Sequence, residues 1–344
     1  MHFASDNTAN VCPEIMAALV ACNDGAVASY GSDAITKRLH ALYSRVFDRE
    51  VVVFPVITGT AANALALSIY TPPYGKIYCH TDAHVQQDEC GAPECFTGGA
   101  KLVSVAGEHG KINVTALEAA LQKSHYLHGG KPSMLSLTQA TEAGTLYSIQ
   151  EIETLASLAH AHGLHVHMDG ARFANALVTL GCSPADITWK VGVDVLCLGA
   201  TKNGAMAAEA VIFFQPEHAT DMAYRRKRVG HLLSKLRYVS AQLEAYVIDD
   251  VWLRNATHAN RMATALAEGL MAFGFPPAYP VQANEVFVHL PEALIVHLQA
   301  CGFTCSRWEG EHSTLLRFVT TYNTPLHAVE QFLDGVKEGV CSCL

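Results

Sequence analysis

Leu164-His165-Val166-His167-Met168-Asp169-Gly170-Ala171-Arg172 alternates apolar and polar residues, then breaks into a carboxylate, a glycine and a guanidinium. Alternation of this kind is the signature of a strand, and the polar break marks its end. Just upstream, Ile149–His162 (IQEIETLASLAHAH) carries apolar residues at helical spacing and stops at Gly163, a residue suited to a helix C-terminus. The same unit recurs along the chain. Val51–Ile57 (VVVFPVI), Lys76–His80, Ser133–Gln139, Val193–Leu198 and Ala210–Phe214 read as strands, with Pro55 a flaw near the end of the first. Thr60–Tyr70 reads as a helix opening directly behind that first strand. Near-continuous apolar strands alternating with helices predict an α/β fold on a mostly parallel sheet covered on both faces. Beyond about Val251 the order becomes helix, strand (Glu285–His289), helix (Pro291–Cys301), strand (Thr314–Val319) and helix (Pro325–Gly339). Two domains are therefore expected: residues 1–250, an arm and a large domain, and residues 251–344, a small α+β domain.

Composition agrees with a large packed core. Half of the 344 residues are hydrophobic and 16% are charged, the reverse of a disordered chain. Lys+Arg number 23 against 32 Asp+Glu, a formal net charge of -9, which argues against nucleic acid or an anionic membrane as partner. No apolar run reaches the length of about 18 residues that a membrane helix needs. The first fifteen residues, MHFASDNTANVCPEI, have neither the basic nor the apolar region of a signal peptide, so a cytoplasmic protein is expected. Eleven cysteines without a CxxC read as free thiols in a reducing compartment. Eighteen histidines are scattered without HExxH, and His165 and His167 on one strand are by themselves a weak metal signal, so no metal is expected.

In open α/β sheets ligands bind beyond the carboxyl ends of the strands, and four places there carry reactive groups. Ile57-Thr58-Gly59-Thr60 is a small hydroxyl-rich turn opening a helix, fit for a phosphate or simply an N-capped turn. Asp169 and Arg172 set a carboxylate and a guanidinium side by side, to hold a ring nitrogen and an oxyanion or to pair with each other. Lys202 follows a buried strand among small residues, where partial desolvation makes an amine nucleophilic; a solvated loop lysine is the plain alternative. His84, behind the strand KIYCH, could stack on a flat ring, transfer a proton, or be structural. Phosphate turn, flat-ring histidine, ring-nitrogen aspartate and Schiff-base lysine together are the parts of a pyridoxal 5'-phosphate (PLP) site.

These residues carry a resemblance. Ser5-Asp6-Asn7-Thr8, Tyr30-Gly31, Thr58-Gly59-Thr60-Ala61-Ala62-Asn63, His167-Met168-Asp169-Gly170-Ala171-Arg172, Thr201-Lys202 and Leu316-Arg317-Phe318-Val319-Thr320 resemble, in order, the motifs of the low-specificity L-threonine aldolases. The resemblance implies fold type I (aspartate aminotransferase-like) and PLP held covalently by Lys202. It further implies His84 stacked on the ring, Asp169 on its nitrogen, Arg172 near its oxygen, Gly59 and Thr60 on the phosphate, and Thr201 beside Lys202 among the cofactor-binding residues. Ser5, Tyr30, Arg172 and Arg317 would bind substrate. Lys235 or the cluster Arg225–Arg228 would reach a phosphate across an interface, in a homotetramer with shared sites. The sequence departs from the family where an Asn-Thr-His stretch is usual: here Gln139-Ala140-Thr141-Glu142 stands, with Thr141 in the histidine's place, and Asp88 replaces an aromatic residue. The pattern resembles a bacterial branch that accepts phenylserine-type substrates, in which a histidine before this strand meets the β-hydroxyl. His128 fits, with His125 as the alternative.

The implied reaction is retro-aldol cleavage of an L-3-hydroxy amino acid to glycine and an aldehyde, with His128, His84 or a water on Asp88 as base. The nearer rival is another PLP reaction at Cα, namely β-elimination, racemisation or transamination, since the same parts serve them all. The remote rival is a PLP-binding protein without turnover.

Overall fold

A computed structural model of the chain describes residues 3–123, 127–308 and 310–343. Seven strands form the main sheet: β1 (Val52–Val56), β2 (Gly75–His80), β3 (Lys101–Val105), β4 (Lys131–Thr138), β5 (His165–Gly170), β6 (Val195–Gly199) and β7 (Glu209–Phe213). Their order is β1-β7-β6-β5-β4-β2-β3. Neighbours are parallel except at β7, which is antiparallel to both β6 and β1. Six strands therefore run one way, as the apolar runs predicted. Pro55 lies on the edge strand β1 opposite Ala210, where a missing N–H is tolerated. β3 escaped the sequence reading because it is the other edge, and its pattern KLVSV is only half-buried.

Local signals set the elements. Thr58 Oγ1 accepts from Ala61 N and caps the helix Gly59–Tyr70, whose residues 61–68 are all buried because it packs between the sheet and other helices. Ser148 and Glu151 form a capping box on the helix Ile149–Ala161, which ends ahead of Gly163 at φ 73°.

A second sheet, β8 (Glu285–His289), β9 (Ser306–Arg307) and β10 (Leu315–Val319), is antiparallel in the order β8-β10-β9. Its core includes Phe3, whose ring sits edge-on to Phe318 and Phe332, so the N-terminal arm is stitched to the C-terminal unit. The helix Val251–Ala272 serves both cores: Trp252 and Ala256 pack in the large one, Met262 to Leu270 in the small one. The expected division near residue 250 falls at the start of this shared helix.

Candidate active site

A cavity of about 270 Å³ opens at the carboxyl edge of the parallel strands. Residues at or just beyond six of the seven strands line it, all but β3. Ile57–Thr60 come from the turn after β1, His84 from behind β2, Glu142 from behind β4, and Asp169 and Ala171 from the end of β5. Thr201 and Lys202 follow β6, Glu209 opens β7, and Asn7 of the arm closes the rim. Of the sequence-predicted residues, the structure thus brings together Gly59, Thr60, His84, Asp169, Thr201 and Lys202.

Buried hydrogen bonds fix these groups. Asp169 Oδ1 accepts from Ala171 N (2.9 Å) and Oδ2 from Asn63 Nδ2 (2.8 Å). The same Asn63 amide donates to Glu89 Oε1 (2.8 Å), and that oxygen also lies 2.9 Å from His84 Nδ1. Asn63 and Glu89, neither assigned a role from sequence, thereby link Asp169 to His84. The bond to Glu89 raises the pKa of His84 against the opposing effect of burial, and Asp169, Glu142 and the Glu89 charge add to it. His167 of the same motif does not reach the cavity. It is fully buried between Ser136 Oγ (2.9 Å) and Cys197 Sγ (3.3 Å), and burial pulls its pKa down to about 4.

Lys202 Nζ has no hydrogen-bond or ion-pair partner among the described residues. Glu209 Oε2 accepts from Ala200 N (3.0 Å). Burial pushes its carboxyl up to about 7, with Thr201, Ala200 N and Lys202 opposing. A Cβ on Gly59 would meet no atom of the described residues within 4 Å, so the helix N-terminus faces open space among them.

Arg172, expected at the substrate, is instead occupied within the chain. Nε and Nη2 fork onto Asp6 (2.8 and 3.1 Å), and Nη2 lies 3.3 Å from Glu285 Oε1. Burial alone would raise the Asp6 carboxyl, but Arg172 and Lys202 hold it below the usual range. Arg172 is not part of the cavity wall. Nor is Ser5, whose Oγ accepts from Asn7 N (3.2 Å) and caps the turn Asp6–Thr8. Arg317 is likewise outside the wall: Nη1 stands 3.8 Å from Glu285 Oε1 and its guanidinium lies over Trp308, while its buried Nε has no hydrogen-bond partner among the described residues. Glu285 is fully buried between the two arginines. Burial pushes its carboxyl up to about 7, against the pull of Arg172 and Arg317.

Other expected residues lie elsewhere. Thr141 is buried on Thr145 and the His109 carbonyl, and Glu142 takes the place in the cavity wall. Asp88 is exposed and outside the wall. His128 sits in the exposed turn Leu127–Gly129 ahead of β4, whereas the cavity is beyond the far end of that strand. At about 3.3 Å per residue, the eight-residue strand separates them by about 25 Å. His128 therefore cannot serve the cavity of its own chain. His125 lies outside the described residues. Tyr30 is 49% exposed, outside the wall, with Lys227 Nζ 4.5 Å from its ring centroid. Within the basic cluster Arg226 is buried on the Pro55 carbonyl, while Lys227, Arg228 and Lys235 are exposed.

The family profile described as beta-eliminating lyase matches residues 2–293. The low specificity L-threonine aldolase of Pseudomonas aeruginosa is 42% identical over 337 residues, covering 98% of this chain and 97% of that protein. That of a Pseudomonas species is 40% identical over the same shares. The Leishmania major threonine aldolase structure superposes with a TM-score of 0.92 at 28% identity over 98% of both chains. A serine palmitoyltransferase from Sphingomonas wittichii shares the fold at TM-score 0.73 and 16% identity, covering 99% of this chain and 87% of that one.

Proposed function

Since the chain belongs to the beta-eliminating lyase family, and within it to the low-specificity L-threonine aldolases, we infer that it is a carbon–carbon lyase. It splits L-3-hydroxy amino acids such as L-threonine and L-allo-threonine into glycine and an aldehyde with PLP as cofactor. The observation that carries this reading is the cavity itself, with an unpartnered lysine, a buried aspartate and an open helix N-terminus on one rim.

The donor set fits PLP. The free N–H groups at Gly59 and Thr60 suit a phosphate. Asp169 suits a protonated ring nitrogen, and the imidazole of His84 suits the ring face. Lys202 Nζ is the amine for the carbonyl carbon. When bound, the cofactor supplies an electron-poor ring that accepts the electron pair of the breaking Cα–Cβ bond. Asp169 keeps the proton on the ring nitrogen, steadied by Asn63 and Ala171 N. The Asn63–Glu89 link holds His84 in place. Arg317, with an unpaired Nε, is our choice for the substrate carboxylate; Arg172 braces Asp6 and the arm.

The β-hydroxyl needs a base, and we assign it to His128 acting in the cavity of another copy of the chain. The exposure of its turn, with Leu127 96% exposed, supports this. So does the patch of Tyr30, Lys227 and Lys235, outside the chain's own cavity but suited to a neighbour's substrate and phosphate. The proposal is a homotetramer with shared sites, working in the cytoplasm, with phenylserine-type substrates also accepted. The test is aldehyde release from L-threonine, L-allo-threonine and phenylserine. Stoichiometric glycine and aldehyde are expected from at least one. Keto acid, racemised substrate or no product from all three would overturn the lyase reading.

A further inference from the structure

The opposite edge of the main sheet gathers a second set of ligand-type side chains. His165 opens β5, Asp194 immediately precedes β6, and His218 lies in the turn Pro216–Ala219 after β7. One ligand atom from each lies within 4.8 Å of the other two. His165 Nδ1 and Asp194 Oδ2 are 3.6 Å apart, too far for a good hydrogen bond. Two ligands of a tetrahedral ion with bonds near 2.1 Å stand about 3.4 Å apart, so this separation is nearly that of a metal site. Asp194 is buried and both histidines are half-buried, which leaves an entry path from solvent.

Surrounding groups hold these side chains in place. Val166 N (2.7 Å) and His160 Nε2 (3.1 Å) both bond to Asp194 Oδ2. Tyr70 Oη lies 3.3 Å from His218 Nδ1, and the Tyr70 ring packs on His165 with centroids 4.4 Å apart. Partners of this kind orient ligating side chains in metal sites.

We propose that His165, Asp194 and His218 form a binding site for a divalent transition metal of the zinc type. Two imidazoles and one carboxylate suit Zn²⁺, Ni²⁺ or Cu²⁺ rather than Mg²⁺ or Ca²⁺. The fourth position is left for water, since His160 is engaged with Asp194. The metal ties the starts of β5 and β6 to the segment after β7. Along β5, Asp169 is four residues from His165, about 13 Å, so the metal stays clear of the reaction in the cavity.

The test uses the full-length, untagged protein loaded with PLP and dialysed against Zn²⁺. The wild type is expected to retain one more equivalent of zinc per chain than the variant His165→Asn/His218→Asn. Exposed thiols such as Cys90 and Cys301 also bind zinc, but equally in both proteins, so they cancel in the difference. Zinc is expected to raise the melting temperature of the wild type alone, and metal-free turnover is expected to be equal. If circular dichroism shows the double variant unfolded, His218→Asn alone replaces it, and Co²⁺ absorption bands are then expected in the wild type only. Equal zinc uptake by wild type and variant, equal Co²⁺ bands, or a melting temperature indifferent to zinc overturns the site.

Discussion

Replacing Asn63 by leucine removes one amide that donates at 2.8 Å to two buried carboxylates, Glu89 and Asp169. Leucine keeps the branching and the number of side-chain heavy atoms, so the main loss is that of the two hydrogen bonds. A hydrogen bond to a charged group contributes about 1.5–3 kcal/mol, which sets the gross loss at about 3–6 kcal/mol. Glu89 can soften the blow by taking up a proton, because burial already raises its pKa against the bonds from His84 and Asn63. The expected cost is therefore about 3 kcal/mol. At about 2 °C per kcal/mol for a chain of this size, the cofactor-free protein should melt about 6 °C lower. Asp169 also loses a donor, and the Kd for PLP should rise about tenfold or more, equivalent to about 1.4 kcal/mol. Asn63→Asp should cost more than Asn63→Leu at pH 8, because it sets a third carboxylate between two. Differential scanning calorimetry and PLP titration measure both effects. An Asn63→Leu protein that melts within about 1 °C of wild type and binds PLP equally well would refute the link between Asp169 and His84.

Four further outcomes are expected. Glu89→Gln replaces a charge-assisted bond by a neutral one, a change of about 1.4 kcal/mol, and should lower the His84 pKa by about one unit; NMR titration of the imidazole reads it. Because the folded His84 pKa is raised, its stabilisation is present below the unfolded value and lost as pH rises through the folded one. The Glu89→Gln cost should thus shrink toward alkaline pH, and also in acid where Glu89 itself is protonated. Arg317→Lys should lower kcat/KM about 30–150-fold through loss of about 2–3 kcal/mol of carboxylate binding, with little change in melting temperature. Asp6→Asn should behave in the opposite way, costing about 3 kcal/mol of stability by breaking a buried pair with Arg172. His128→Ala should lose at least about 100-fold in rate, and mixing it with Lys202→Ala should restore activity if His128 acts between copies; no recovery would place the base within the chain.

Much of the architecture was legible because it is local. Alternation at residues 164–168, the apolar run of β6 and the cap at Thr58 each specify an element from a handful of neighbours. The parallel order then fixes which strand ends meet, which is why Asp169 and Lys202 share a rim. What escaped is long-range. Arg172 meets Asp6 across 166 residues and Asn63 meets Asp169 across 106, and no spacing announces either pair. Glu142 was visible only as the end of a departing motif; the bend after β4 turns it, and not Thr141, toward the cavity. The position of His128 at the wrong end of β4 follows from strand direction, which the sequence pattern leaves open. His165 likewise gained meaning only when the sheet set Asp194 and His218 beside it.

In the proposed reaction Lys202 anchors PLP covalently in this cavity. Borohydride reduction of the PLP-loaded protein, followed by peptide mapping by mass spectrometry, tests it most directly. One phosphopyridoxyl group per chain is expected, on the peptide containing Lys202, and none on that peptide in Lys202→Ala. Labelling of another lysine in the native protein, or none at all, would contradict it.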